Sequence, residues 1–267
     1  MRGLAAILAV AGLVAGGWRV VEHKSNLVPS LVTPTTNVHL EFSDGVVARL
    51  YRATHELPAD RSGRPRLIAL TFDDGPYPVY TPMLLDMLRD LHVPATFFLI
   101  GQDAQEWPEL TRRIEAEGNE IGDHTYTHPN LDQETNDQVR EEILKGRDVL
   151  WDLSHDPAVR SLMRPPHGRY TERTLQVVQS LGYSVVLWTY DSGDWRTVTV
   201  DSIERNVVEH ATAPEIVLLH SGKLATIEAL PYVVDRFRKA GYRFVTVGEL
   251  LKLVQTDDIN HPLRKAV

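Results

Sequence analysis

At 267 residues, with 43% hydrophobic and 24% charged residues, the chain has the composition of a globular protein long enough for one sizeable core. A formal charge of -8 without an evident basic face argues against a nucleic-acid partner. Cysteine is absent, which excludes disulfides and thiolate metal sites and leaves His, Asp and Glu to bind any metal.

Met1-Arg2 gives a positive start, and the run from Gly3 to Trp18 is uncharged and rich in Ala, Leu and Val. Residues 1–18 therefore read as a signal peptide or a retained membrane anchor, with a buried core helix as a third option. The run is short for a span of roughly 20 residues. Its exit, Ala15-Gly16-Gly17, only approximates a cleavage site. Either of the first two options puts the working domain outside the cytoplasm, secreted or membrane-anchored. Residues 19–36, with Pro29 and Pro34 and no period, read as a tether. Apolar alternation at 38–42 and 46–51 around Ser43-Asp44-Gly45 predicts a β-hairpin, so 19–65 is a tether and hairpin extension.

From Arg66 the pattern alternates. Residues 67–72 are strand-like, and 80–91 have helical spacing in Met83, Leu84, Met87 and Leu88. A strand at 95–100 and a helix at 110–117 follow, then a helix at 139–153 with Val139, Ile143, Leu144 and Leu150 on one side. Segments at 171–181, 183–189, 202–210, 215–219, 224–240 and 242–247 continue the alternation. Short apolar strands separated by amphipathic helices predict an α/β fold with parallel strands and right-handed crossovers. About seven such units over residues 66–254 fit a closed or nearly closed barrel, followed by a charged surface tail at 255–267. In that architecture chemistry collects at the C-terminal ends of the strands.

Five clusters stand at those ends. Asp73-Asp74-Gly75-Pro76 places two acids where Gly and Pro break the strand, so both carboxylates can turn into one mouth and their repulsion calls for a cation. A single Asp there would read more readily as a polar strand-to-helix turn with an acid near a helix N-terminus. His124-Thr125-Tyr126-Thr127-His128 sets two imidazoles four apart, able to converge on one ion if the segment coils. That pair alone is as compatible with a structural role as with ligation. Two His and one carboxylate leave metal positions open for water and substrate. Arg164-Pro165-Pro166-His167-Gly168, Asp191-Ser192-Gly193-Asp194-Trp195 and Leu218-Leu219-His220 would each, alone, read as a turn or a packing residue. Their coincidence at successive strand ends points to a catalytic site.

In order, Thr71-Phe72-Asp73-Asp74-Gly75-Pro76, His124-Thr125 with His128, Arg164-Pro165-Pro166, Asp191 with Asp194-Trp195, and Leu218-Leu219-His220 resemble the five motifs of NodB-type polysaccharide deacetylases (carbohydrate esterase family four). The resemblance implies a distorted (β/α) barrel and a metal-dependent de-N- or de-O-acetylase. It implies one divalent ion on Asp74, His124 and His128, with Zn²⁺ first and Co²⁺, Ni²⁺ or Mn²⁺ as alternatives. Asp73 would be the general base toward water, and His220 the general acid toward the departing amine. Arg164 would orient Asp73, and Asp194 would support protonated His220. The Pro166-His167 turn would lend a backbone N–H to the oxyanion, while Trp195 and Leu218 would wall the sugar and the acetyl methyl.

Two positions depart from the family pattern: His167 replaces a bulky aromatic, and Ser221 follows the acid His where a carboxylate is common. The implied partner is an acetylated polysaccharide, with N-acetylglucosamine units of peptidoglycan or a chitin-like polymer first. An O-acetyl esterase on xylan or another glycan and a non-catalytic carbohydrate-binding module are the alternatives. Any membrane contact would run through the uncleaved N-terminal segment, and the oligomeric state is left open.

Overall fold

The computed structural model describes residues 46–47, 66–196, 199–209 and 215–260. The N-terminal apolar segment, the tether, most of the expected hairpin and the last seven residues of the tail lie outside the described residues. In chain order the elements are β1 (Val46–Val47), β2 (Arg66–Asp73), α1 (Tyr80–Leu91), β3 (Thr96–Leu99), α2 (Gly101–Glu106), α3 (Pro108–Ala116), β4 (Glu120–Asp123), α4 (Asn136–Ser154) and β5 (Leu162–Met163). They continue with α5 (Glu172–Ser180), β6 (Ser184–Val186), β7 (Tyr190–Asp191), α6 (Val200–Glu209), β8 (Glu215–His220), α7 (Leu224–Lys239), β9 (Tyr242–Phe244) and α8 (Val247–Asn260). Among the described residues no helix is long and apolar enough to cross a membrane.

The strands form one sheet in the order β1-β6-β5-β4-β3-β2-β8-β7, with β9 beside the first half of β2. Every pairing is parallel. The sheet must curl. Between β6 and β7 lie six strand spacings, about 29 Å if flat at about 4.8 Å each. Yet Val186 and Tyr190 are four residues apart in sequence, a reach of about 14 Å at most. The result is a curled, all-parallel half-barrel with helices, consistent with a distorted (β/α) barrel, in which the run from β6 to β7 starts beside β5 and ends beside β8.

Strand alternation divides the interior. Ile68, Leu70 and Phe72 of β2 pack with Leu84, Leu85 and Leu88 of α1 and Leu230, Val233 and Val234 of α7. The intervening Ala69 joins Phe98, Ile216 and Leu218 in a second cluster. Thr71 and Asp73 continue that second face toward the strand ends. Helix α4 begins at a capping box, Thr135 with Gln138, and buries Val139, Ile143, Gly146 and Leu150. Gly146, rather than the expected Leu144, completes that face.

Register sets the level of the site. Across the sheet Asp73 is opposite both His220 and Phe98, Leu99 is opposite Asp123, and Asp123 is opposite Met163. Asp74 is thus level with Asp123 and Met163, and His124 and Arg164 leave their strands one residue beyond it.

Three differences from the sequence pattern have physical reasons. The strand expected over 183–189 stops at Val186 and resumes at Tyr190, because the Val186 and Leu187 carbonyls accept hydrogen bonds from Arg164 instead of a neighbouring strand. Helix α2, Gly-Gln-Asp-Ala-Gln-Glu, has no apolar period to betray it. Helix α8 runs through residue 254, where the pattern placed the domain's end. Of the expected hairpin only Val46–Val47 is described, and it pairs in parallel with β6.

Candidate active site

The site is built around a buried cation. Arg164 is fully buried, and its guanidinium spends its donors locally: Nη1 to Asp73 Oδ1 at 2.6 Å and Thr71 Oγ1 at 2.8 Å, Nε to Val186 O at 3.1 Å, and Nη2 to Leu187 O at 3.0 Å. Phe98 lies under it, with Cζ 4.2 Å from the ring centroid. An unpaired buried charge is costly, so this much wiring fixes both the Arg and the carboxylate it faces. Asp73 is thereby aimed with Oδ2 toward His124, 3.7 Å from Nε2.

Asp74 turns the other way. Its φ of 71°, followed by Gly75 at 73°, breaks β2 and rotates the second carboxylate into the mouth. There Asp74 Oδ1 lies 3.7 Å from His124 Nε2 and 3.4 Å from His128 Nε2. One ligand atom from each of Asp74, His124 and His128 falls within 4.8 Å of the others. His124 Nδ1 is 2.7 Å from the Arg164 carbonyl, an acceptor, so Nδ1 carries the proton and the Nε2 lone pair faces Asp74. Burial pulls the His124 pKa down to about 3 and lowers that of His128, keeping both rings neutral. Burial also pushes Asp74 up to about 6, with His220 opposing and Asp73 adding to the rise. Two imidazoles whose Nε2 atoms both face one carboxylate short of positive charge are a donor set suited to a divalent cation.

His220, across from Asp73, ends β8. Asp194 holds it twice, Oδ1 against Nδ1 at 2.8 Å and Oδ2 against the backbone N–H at 2.8 Å. Thr226 Oγ1 donates to the same Oδ2 at 2.6 Å. Burial alone would lower the His220 pKa, but the Asp194 hydrogen bond and charge, with Asp73 and Asp74, outweigh it and raise it to about 9. This imidazole is a proton donor at neutral pH.

The remaining expected residues are placed as follows. Pro166 and His167 form a short turn closed by Gly168 N–H to Pro165 O and Arg169 N–H to Pro166 O. Within it His167 has φ 59° and sets its ring edge-on to His128, centroids 4.6 Å apart. Trp195 is half exposed at the rim, its Nε1 donating to Asp191 Oδ2 at 3.3 Å. Leu218 is buried one pleat below His220. Thr226 is an addition, and Ser221, singled out in the sequence only as a departure from the family pattern, gains partners here. Ser221 N donates to Asp73 O, and its hydroxyl lies 3.1 Å from Asp73 O and 2.9 Å from Asp74 O, tying the ends of β2 and β8 together. Nothing in a lone Thr in the first turn of α7 flags its bond to Asp194.

The family model for polysaccharide deacetylase matches residues 60–186. A peptidoglycan-N-acetylglucosamine deacetylase of Bacillus cereus is 40% identical over 192 residues, covering 70% of this chain and 89% of that protein. A chitooligosaccharide deacetylase of Azorhizobium caulinodans is 32% identical over 189 residues, covering 66% of this chain and 90% of that protein. Among solved structures, a peptidoglycan N-acetylglucosamine deacetylase in complex with 4-naphthalen-1-yl-N-oxidanyl-benzamide superposes with a TM-score of 0.66 at 36% identity, covering 68% of this chain and 86% of that one.

Proposed function

We propose, from the premise that the chain belongs to the polysaccharide deacetylase family, that it hydrolyses the acetamide of N-acetylglucosamine units in peptidoglycan or a chitin-like polymer, outside the cytoplasm, with one divalent ion. The observation that carries the reading is the register of Asp73 opposite His220 beside the Asp74, His124 and His128 group. It sets a carboxylate and a protonated imidazole on either flank of one ligand set.

Asp74, His124 and His128 would hold the ion. When bound there, a divalent cation, Zn²⁺ first, supplies Lewis acidity toward a carbonyl and makes water a better nucleophile near neutral pH. Asp73, fixed by Arg164, accepts the proton of the attacking water. The N–H of His167, in the Pro166 turn, offers a donor to the developing oxyanion, an interaction worth about 3 kcal/mol. His220 then protonates the amine as the C–N bond breaks, and Asp194 stabilises the imidazolium beforehand. Trp195 offers the sugar a face at the rim, and Leu218 backs the region under the acetyl group.

The raised His220 pKa favours the amide over the ester reading, because an amine needs a proton to leave far more than an alkoxide of a sugar does. The test is acetate release from peptidoglycan, chitooligosaccharides and acetylated xylan, each with added Zn²⁺ and with chelator. Metal-dependent release from the first two supports the proposal. Release from xylan alone transfers the chain to the esterase reading, and no release from any polymer leaves the binding-module reading.

A further inference from the structure

We infer that Glu142 of α4 is a positioning residue for the metal site, holding the loop between the two histidines so that His128 faces Asp74, with Gly146 one turn on admitting the loop against the helix. The inference rests on the metal reading above. Residues 125–128 do not coil as a regular helix: Thr125 and His128 have φ of 70° and 62°, a left-handed backbone that a β-branched Thr in particular resists. Something must hold them there.

The hydrogen bonds show what does. Glu142 Oε2 accepts the backbone N–H of Tyr126 at 3.1 Å and of Thr127 at 2.8 Å, and Oε1 accepts the Thr127 hydroxyl at 2.8 Å. The carbonyls of the same loop are taken from the opposite side: Gly101 N–H donates to Thr125 O and Gln102 N–H to Tyr126 O, both at 2.9 Å. Thr125 N–H is held by Asp123 Oδ1 at 2.8 Å, and Thr125 Oγ1 accepts the His128 N–H at 3.1 Å. Glu142 is therefore the long-range tie on the donor side of a loop that carries both imidazoles.

Residues four apart share a helix face, so Glu142 and Gly146 meet the loop together. A Cβ on Gly146 would stand 2.8 Å from Asp123 Oδ1 and 2.9 Å from the Thr125 carbonyl carbon. The bare backbone of α4 lets the loop approach, and the carboxylate one turn earlier fastens it. Partners bonded to a metal ligand itself typically set affinity by roughly 10–100-fold, and Glu142 acts one residue from His128, through Thr127.

The experiment measures Zn²⁺ affinity of the purified chain by competition with a chromogenic chelator, with circular dichroism and Tm of the metal-free protein alongside. Wild type must bind Zn²⁺; if it does not, the metal reading itself falls. Given that binding, Glu142→Ala is expected to weaken Kd by roughly 10-fold, the lower end of that range. Glu142→Gln, which keeps one acceptor oxygen, should recover most of the loss. Gly146→Ala favours the helix intrinsically yet pushes the loop, so it too should weaken Kd, and it serves as the reading if Glu142→Ala does not fold. Thr135→Ala, which removes the cap of the same helix, should lower Tm and leave Kd unchanged. Unchanged Zn²⁺ affinity in the folded Glu142→Ala or Gly146→Ala proteins, or a loss in Thr135→Ala equal to theirs, overturns the inference.

Discussion

Asp194 grips His220 at two points, the ring Nδ1 and the backbone N–H, each at 2.8 Å, so one carboxylate sets the position of the imidazole as well as its charge. Asp194→Asn removes the charge while keeping the shape. The His220 pKa, about 9 in the native site, is then expected to fall toward its ordinary value. A bound cation opposes part of the native rise, so the falling limb of kcat/KM in the metal-loaded enzyme lies at or below pH 9, and in the variant about one unit or more lower. A pH–rate profile of both proteins checks this, and coincident falling limbs would remove His220 as the acid.

The same pair has a stability consequence of definite sign. A base whose folded pKa lies above its unfolded value contributes stability that is complete below the unfolded pKa and lost as pH rises through the folded one. For His220 the window runs from 6.5 to about 9. Metal-free wild type is therefore expected to lose stability across that window, on the order of 2–3 kcal/mol from this group, while Asp194→Asn shows a flatter curve. Urea unfolding at three or four pH values reads the difference.

Metal binding carries its own pH signature. With its pKa near 6, Asp74 is protonated and a poor ligand below that value in the metal-free protein. Zn²⁺ affinity should therefore rise steeply up to about pH 6 and more gently beyond it. His124, with its pKa pulled down to about 3, is already neutral there and adds little to the slope, and burial shifts His128 in the same direction. Asp74→Asn should weaken Zn²⁺ binding and remove the rise toward pH 6, since a neutral amide replaces the one anionic ligand. Chelator competition across pH 5 to 8 measures both effects.

How much of this was legible beforehand follows from which interactions are local. Strand ends announce themselves by sequence, because an apolar run stopping at Asp73-Asp74-Gly75-Pro76 or at His220 is a one-dimensional pattern. Those patterns, and the resemblance they carry, single out Asp73, Asp74, His124, His128, Arg164, Asp194 and His220, which the structure brings close together. What the pattern could not carry is the wiring between distant segments. Thr226 bonds Asp194 across 32 positions, Glu142 bonds the loop across 15, and Ser221 reaches the end of β2 across 147. Each is a common polar residue on an ordinary element, and its partner is chosen by the curl of the sheet and the packing of helices on it. The interruption between β6 and β7 was hidden for the same reason: the Arg164 that diverts those carbonyls is 22 positions away from Val186.

Ser221 illustrates how this chain has settled a position where the family pattern favours a carboxylate. Its hydroxyl meets the Asp73 and Asp74 carbonyls, acceptors that a carboxylate would repel in this arrangement. Ser221→Ala leaves Asp73 O with the Ser221 backbone N–H but takes away the hydroxyl tie to Asp74 O. The expected outcome is a loss of about 1–2 kcal/mol and a modest fall in kcat with little change in KM. Ser221→Asp is expected to cost more on both counts. Unfolding and steady-state kinetics on the two variants test the ordering.

Asp73→Asn is the direct test of the general base, but the geometry makes it a compound change. Arg164 has no exposure, and among the described residues Asp73 is the carboxylate that pairs with it, at 2.6 Å. Neutralising Asp73 leaves a buried guanidinium without a counter-charge, which typically costs 3–5 kcal/mol. Lost activity in the single variant could then come from a shifted Arg164 as much as from a missing base. Replacing both, Asp73→Asn with Arg164→Gln, removes the charge and its partner together. The double variant should be less destabilised than the sum of the two singles by about 1–3 kcal/mol, because the two side chains share one interaction. It should nevertheless remain inactive while still binding Zn²⁺, since Asp74, His124 and His128 are intact. Restored turnover in the double variant would show that Asp73 serves Arg164 and not the attacking water.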